Sequence, residues 1–510
     1  MSKRQIVFIM TDTTRWDMLG CYGNPDMKTP NLDALAAQGV RFDRAYTCQP
    51  VCGPARAAIF TGLYPHSAGS WANCMALGSD ARTVGQHLTD YGIHTAYIGK
   101  WHLDASDYFG TGKCPVGWDP DYWYDMRNYL EELTPEQREA SRNAVTADGS
   151  PVTSEYTFAH RVTDRAVDFI RRFAQEDFFL TVSYDEPHGP CMCPEPFASM
   201  YEGYDFPKSP NFEDSLADKP AYQRIWAQWP EAFAKTPRNE FRIRPSLYLG
   251  CNSYADQQIG RVLEAVNRMT PDAMIVFTSD HGDGLYAHGN TGKGPSAYDE
   301  IVRIPLIIKG GALAPSPVGV ATDQPVTHLD MAGMIYEYMN VPMPRWMDGK
   351  SMLPAVIRPE ARMNERIFFE FNRFEFGGSR YGSFHPMRAV FDGRYKLAVH
   401  LLEDTDEFYD LKSDPYEMHN LIHDEASACT RDALHDAILK EMDRTNDPFR
   451  GYYWLYRPWR RGLPAPSWRF TGATRYMDKD HTPRQLDYLD GQEVTPWAVL
   501  YDEERMKTRG

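Results

Sequence analysis

Gln5-Ile6-Val7-Phe8-Ile9-Met10-Thr11-Asp12 decides the fold. An unbroken apolar run that ends abruptly on a threonine and an aspartate is a strand buried on both faces, delivering polar side chains at its C-terminal end. The arrangement recurs along the chain. Thr29 to Gly39 carries a helix's punctuation, with Thr29 to cap, Pro30 in the first turn and Gly39 to stop it, and Val40 to Tyr46 reads as the next strand. A helix near Thr83 to Tyr91, closed by Gly92, precedes the strand His94 to Gly99. An amphipathic segment from about Ser154 to Ala174 precedes Phe178 to Tyr184, and a helix over about Leu247 to Met269 precedes Ala273 to Thr278. Apolar strands alternating with helices predict an α/β fold, with a large mixed, mostly parallel sheet sandwiched by helices.

In such a sheet, functional residues gather at the carboxyl ends of the strands. Each strand here is followed at once by chemically capable side chains: Asp12, then Lys100 and His102, then Asp185 and His188, then Asp280 and His281. After about Asn364 the texture changes. Arg366 to Asn372, Met387 to Phe391, Tyr395 to Leu401 and Glu407 to Leu411 are short strands, followed by a helix near Ala426 to Thr445. The expected organisation is a catalytic domain over 1–364 and a smaller C-terminal α+β domain with an antiparallel sheet over 365–446. A tail rich in Trp, Arg, Tyr and Pro follows over 447–510, packing on the body or on a neighbouring subunit, so that a homo-oligomer could form through it.

With 510 residues, 42% of them hydrophobic and 24% charged, the chain can bury a large core. A net charge of −16 argues against nucleic acid as a partner, because phosphate binding needs a basic footprint. No apolar stretch reaches the length of a membrane span, and the N-terminus carries no secretory apolar region. The nine cysteines are odd in number and scattered from Cys21 to Cys429, which fits reduced, buried thiols in the cytoplasm. Cys191-Met192-Cys193 and the Cys48/Cys52 pair lack the matching pair that a zinc site requires.

An isolated Asp280-His281-Gly282 is usually a strand-end turn. With Asp12 at a second strand end, oxygen and nitrogen donors converge as a hard-cation site, calcium first, with magnesium or manganese as alternatives. Lys100 could neutralise the oxygens of a transferred group and His102 steer a proton. His188 could protonate a leaving oxygen, and Lys293 could act as a second cationic clamp; the bland alternative for these last two is a surface loop. In Cys52-Gly53-Pro54-Ala55-Arg56, Pro54 suits the first turn of a helix through Ala57 to Phe60. Residue 52 then sits at the helix's positive end, with Arg56 one turn in.

That five-residue stretch resembles the type I sulfatase motif, in which a formylglycine-generating enzyme oxidises the cysteine to formylglycine. The resemblance extends over nearly the whole chain. Thr11-Asp12, Thr29-Pro30-Asn31-Leu32-Asp33, Thr61-Gly62-Leu63-Tyr64-Pro65, Gly99-Lys100-Trp101-His102 and Ser279-Asp280-His281-Gly282 stand in the order that family uses. Arg303-Ile304-Pro305-Leu306-Ile307, Phe408-Tyr409-Asp410-Leu411 and Asp414-Pro415-Tyr416-Glu417 complete the series. The chain is similar to type I sulfatases of the alkaline phosphatase superfamily, and within them to the cytoplasmic bacterial sulfatases of the YidJ type.

The resemblance implies an alkaline-phosphatase-like fold and a sulfuric ester hydrolase that cleaves sulfate monoesters. It implies that Asp12, Asp280 and His281 bind one divalent metal whose shell the formylglycine from Cys52 completes. Arg56 and Lys100 would hold the nucleophile, His102 would take the proton as sulfate is expelled, and His188 and Lys293 would bind the sulfate and assist the departing alcohol. One departure matters: many relatives carry Asp-Asp where this chain has Asp12-Thr13. The related phosphonate monoester hydrolases also manage with one aspartate there, often with manganese, but they resemble Tyr-x-Thr where this chain has Lys100 and His102. Phosphonate monoester or phosphodiester hydrolysis is therefore the alternative activity, and a non-catalytic binder of sulfated ligands the alternative class. The expected substrate is a sulfated sugar, with Arg373 and Arg388 as candidates to pair with a carboxylate or second sulfate on it.

Overall fold

A computed structural model describes residues 3–141, 152–204, 209–234, 245–375, 384–403 and 405–463. Its first strands are β1 (Gln5–Thr11), β2 (Val40–Phe42), β3 (Ala45–Tyr46), β4 (His94–Gly99), β5 (Phe178–Ser183) and β6 (Met274–Ser279). Then come β7 (Arg303–Ile304), β8 (Leu306–Lys309), β9 (Val320–Thr322) and β10 (Val326–Thr327). The C-terminal strands are β11 (Ile367–Phe371), β12 (Met387–Phe391), β13 (Tyr395–His400) and β14 (Glu407–Asp410).

The main sheet has the order β4-β5-β1-β6-β8-β2-β9. Its β4-β5-β1-β6 half is parallel, β8 runs antiparallel to both its neighbours, and β9 is parallel to β2. This is the mixed, mostly parallel sheet expected. Strand alternation divides the apolar run of β1 between two cores. Val7 and Ile9 pack with the helices Phe158–Phe173 and Pro245–Met269, whereas Ile6, Phe8 and Met10 pack with Cys52–Thr61, Val84–Asp90 and Leu329–Met339.

Three local expectations change. Val40 to Tyr46 is two strands, because Asp43 and Arg44 divide it: β2 joins the main sheet and β3 a separate sheet β10-β3-β7. Thr29 does not cap its helix; its hydroxyl accepts from the Gly20 amide (2.9 Å) and bonds Asp33 (3.2 Å). Gly39 is a close-approach residue rather than a helix stop, since a Cβ there would lie 2.3 Å from the Ile308 carbonyl. Thr83 does cap, in a reciprocal box with Gln86.

Strands β11 to β14 form an antiparallel sheet. One face (Ile367, Phe369, Phe371, Met387, Ala389) packs on Tyr46, Val51 and Val302 of the body. The other (Val390, Leu397, Val399, Phe408) packs under Leu434 and Ile438 of the helix Ala428–Arg444, joined there by Trp454 and Trp459. Trp468, Trp497 and the subunit contact expected of the tail lie outside the described residues.

A buried polar network ties this sheet to the body. The Glu407 carboxylate accepts from Tyr409 (2.6 Å), Tyr298 (2.8 Å) and Gln223 (3.0 Å), and lies 2.7 Å from His400 Nε2. Burial works against its charge, but His400, Lys219 and Tyr409 hold it well below the usual glutamate range. A depressed folded-state pKa contributes stability above the unfolded value of about 4.3 that is lost as pH falls below it. Glu407→Gln should therefore flatten the fall in melting temperature below about pH 4.5; a mutant whose acid limb matches wild type would contradict this.

Candidate active site

Strand register assembles the site. Gly99 and Met10 both pair with Ser183, and Thr11 with Ser279, so the residues after these parallel strands emerge side by side. Gly99 has φ +122°, and a Cβ there would stand 1.8 Å from the Ser183 carbonyl, so only glycine lets the chain deliver Lys100 at this point.

Cys52 opens the helix Cys52–Thr61, every residue of which is buried. Residue 52 thus stands at the positive end of the helix dipole. Its Sγ lies 2.7 Å from Lys293 Nζ, 3.3 Å from His281 Nε2 and 3.7 Å from Asp12 Oδ1. One turn along, Arg56 reaches Asp280 Oδ2 and Asp12 Oδ2, each at 3.2 Å, and donates to the Lys100 carbonyl (2.6 Å) and Ser183 Oγ (2.8 Å). Lys100 Nζ lies 2.8 Å from Asp12 Oδ2 and 2.9 Å from Asp185 Oδ1.

The charges set each group's protonation. Burial pushes Asp12 up, yet Lys100, Lys293, His188 and His281 hold it well below the usual carboxylate range. Asp280 is driven up to about 7 by burial and by Asp12, against the pull of His281 and Arg56. For Cys52, burial and Asp12 oppose ionisation, but Lys293, Lys100 and His281 win and bring the thiol down to about 7. His102 and His188 are each lowered to about 3 by burial and by Lys100.

The segment after β4 is not extended. The chain turns at His102, which has φ +61°. The turn buries the ring, and neither ring nitrogen has a hydrogen-bond partner among the described residues. A buried imidazole left in that state is poised to bond something that enters the site.

Asp12, Cys52, Asp280 and His281 offer ligand atoms that all lie within 4.8 Å of one another. Two carboxylates and an imidazole around one point suit a divalent cation. Thr13, where a second aspartate would stand, is an orienting residue. Its hydroxyl donates to Asp12 Oδ1 (2.7 Å) and its amide to Asp280 Oδ1 (3.1 Å).

Of the residues expected from sequence, Asp12, Cys52, Arg56, Lys100, His102, His188, Asp280, His281 and Lys293 come together. Arg373, buried, lies beside them: its neighbour Phe374 accepts from the Asn73 amide (2.7 Å), and Asn73 Oδ1 accepts from the Gly53 amide (2.9 Å). Arg388 does not join the cleft. Asp447 accepts from it at 2.6 and 3.0 Å and Asn372 Oδ1 at 2.9 Å, so its guanidinium is taken up by structural partners. Asn73 and Tyr108 are site residues that carried no sequence signal: neither sits at a strand end or in a recognisable motif.

A rim of strand ends bearing Asp12, Lys100, Asp185, Asp280 and His281, facing a residue at a helix N-terminus, can hold a cation and meet the charge on a transferred oxyanion. The Sulfatase family matches residues 4–341, and the C-terminal region of N-sulphoglucosamine sulphohydrolase matches residues 293–444. The chain belongs to the sulfatase family and is a sulfuric ester hydrolase. It is 41% identical to the uncharacterised sulfatase YidJ of Escherichia coli K12 over 99% of this chain and 100% of that one. It is 25% identical to an N-acetylglucosamine-6-O-sulfatase of Bacteroides thetaiotaomicron, over 82% of each. The phosphonate monoester hydrolase of Silicibacter pomeroyi shares the fold, with a TM-score of 0.71, 23% identity and coverage of 87% and 96%. Among the described residues no helix is long and apolar enough to cross a membrane.

Proposed function

We propose that the enzyme hydrolyses the sulfate monoester of a sugar, using formylglycine made from Cys52 and one divalent cation, calcium in the first place. The observation that carries this reading is the setting of Cys52, which is buried at a helix N-terminus among Lys293, His281 and Asp12. The converted residue would supply a geminal diol, one hydroxyl to take the sulfuryl group and the other to expel sulfate. A cation held by Asp12, Asp280, His281 and residue 52 would supply Lewis acidity to the sulfuryl oxygens.

The remaining steps fall to the chain's own groups. Lys293 and Lys100 are fixed before substrate arrives, so the negative charge that builds on the sulfuryl oxygens meets cations that need not reorganise. Arg56 bridges Asp12 and Asp280, fixing the two carboxylates relative to one another and offsetting their mutual repulsion. His102, neutral in its buried pocket, takes the hydroxyl proton at a ring nitrogen as sulfate leaves. His188 gives a proton to the departing alcohol.

The sugar reading is supported by the Bacteroides relative's name, and in it Arg373 would meet a carboxylate or second sulfate. The nine cysteines are all unpaired, which suits a cytoplasmic enzyme. Maturation requires a formylglycine-generating enzyme as partner. Thr13 in place of a second aspartate favours phosphonate ester hydrolysis as the second activity.

The test compares kcat/KM for 4-nitrophenyl sulfate and an aryl phosphonate ester, before and after chelation. Sulfate should be the better substrate. Chelation should cost at least about 10²-fold in rate and lower the melting temperature, with calcium restoring both. Preference for the phosphonate, restored by manganese alone, would transfer the assignment to the second activity.

A further inference from the structure

We infer that Tyr108 is a positioning residue, which joins Asp185 to His188 and aims His188 at the leaving oxygen. This rests on the sulfatase reading above. Tyr108 lies in the loop after β4, where its phenol oxygen meets three groups: Lys100 Nζ at 3.0 Å, His188 Nδ1 at 2.9 Å and Asp185 Oδ1 in a very short contact.

The direction of each bond is forced. The Lys100 ammonium can only donate and an ionised carboxylate can only accept. His188 Nδ1 also lies 2.8 Å from the Gly189 carbonyl, which accepts only, so Nδ1 carries the proton. Tyr108 therefore donates to Asp185 and accepts from Lys100 and His188, which matches the one donor and two acceptor sites of a hydroxyl. Its ring also lies under the lysine, 4.1 Å from Nζ to the ring centroid.

With Nδ1 held, Nε2 of His188 has no hydrogen bond to any described residue and is the atom left to act. Burial first, and the charge of Lys100 after it, keep the imidazole neutral. An anionic ester beside the ring offsets the Lys100 charge and favours a proton at Nε2, the nitrogen that faces it. As sulfur bonds the hydroxyl oxygen that residue 52 would supply, the S–O bond to the alcohol breaks, its electron pair stays on the alcohol oxygen, and that oxygen takes the Nε2 proton. The ring returns to the neutral form with its hydrogen on Nδ1, the tautomer that its contacts with Gly189 and Tyr108 require. Asp185 supports the cationic ring through its charge and, by way of the phenol, through a hydrogen bond.

Tyr108→Phe keeps the ring and removes the hydroxyl, so it isolates this role. Across a series of aryl sulfates, it should lose about 30- to 100-fold in kcat/KM on the most basic phenolate leaving group, but less than about threefold on 4-nitrophenolate, which needs no proton. His188→Ala should give the same pattern, and the double variant no more. ¹⁵N-histidine NMR of the wild type should find the His188 proton on Nδ1. An equal loss across the series, additive loss in the double variant, or the proton on Nε2 would overturn the proposal alone. A wild type that turns over none of the sulfates would overturn the sulfatase reading, and this proposal with it.

Discussion

Cys52→Ala is expected to abolish sulfate release, lowering kcat/KM by at least about 10⁴-fold while the protein stays folded. The side chain is small and its removal leaves little void. Arg56, Asp12 and Asp280 pair with one another independently of the sulfur. The loss should thus appear in rate and not in thermal stability. Cys52→Ser is the sharper variant. A lone hydroxyl at residue 52 can accept a sulfuryl group but has no second oxygen to expel it, so Cys52→Ser should give no more than one turnover per site. Multiple turnovers by either variant would remove residue 52 from the chemistry.

The second large effect is expected far from the chemistry. Arg388→Met should destabilise the enzyme by about 3–5 kcal/mol, because it leaves Asp447 buried and unpaired. Asp447 has a 1% exposed side chain, and its pKa is held down, against burial, by Arg388. Pairing the change with Asp447→Asn should recover part of the loss, as a double-mutant cycle would register. Assayed below its melting transition, Arg388→Met should keep the wild-type KM for sulfate esters, whereas Arg373→Ala should raise it. An altered KM with unaltered stability would return Arg388 to the substrate side.

Much of this was legible in the sequence because the main sheet obeys simple rules. Strands β1, β4, β5 and β6 are continuous apolar runs, and parallel pairing brings the residues beyond their C-terminal ends to one rim. Reading Asp12, Lys100, Asp185 and Asp280 as one site needed only the strand ends. The missed parts were missed for physical reasons. The strand pair β7 and β8, separated by Pro305, and the short β9 and β10 are too brief to carry a period. The helix Leu329–Met339 is buried nearly all round, so it lacks the apolar stripe that marks a surface helix. Arg388 reads from sequence as a candidate to pair with substrate, but its partner Asp447 is fifty-nine positions away and pairing at that distance leaves no local mark. Tyr108 was silent for the same reason: its three partners lie on two different loops and belong together only once β4 and β5 are paired.

The central claim is that residue 52 is the nucleophile after conversion. It is tested most directly by mass spectrometry of the tryptic peptide containing residue 52, from enzyme co-expressed with a formylglycine-generating enzyme. The same samples would be assayed on 4-nitrophenyl sulfate. The account predicts a peptide about 18 Da lighter than the cysteine form, with turnover rising in proportion to the converted fraction. Turnover by fully unconverted protein, or full conversion without turnover, would contradict it.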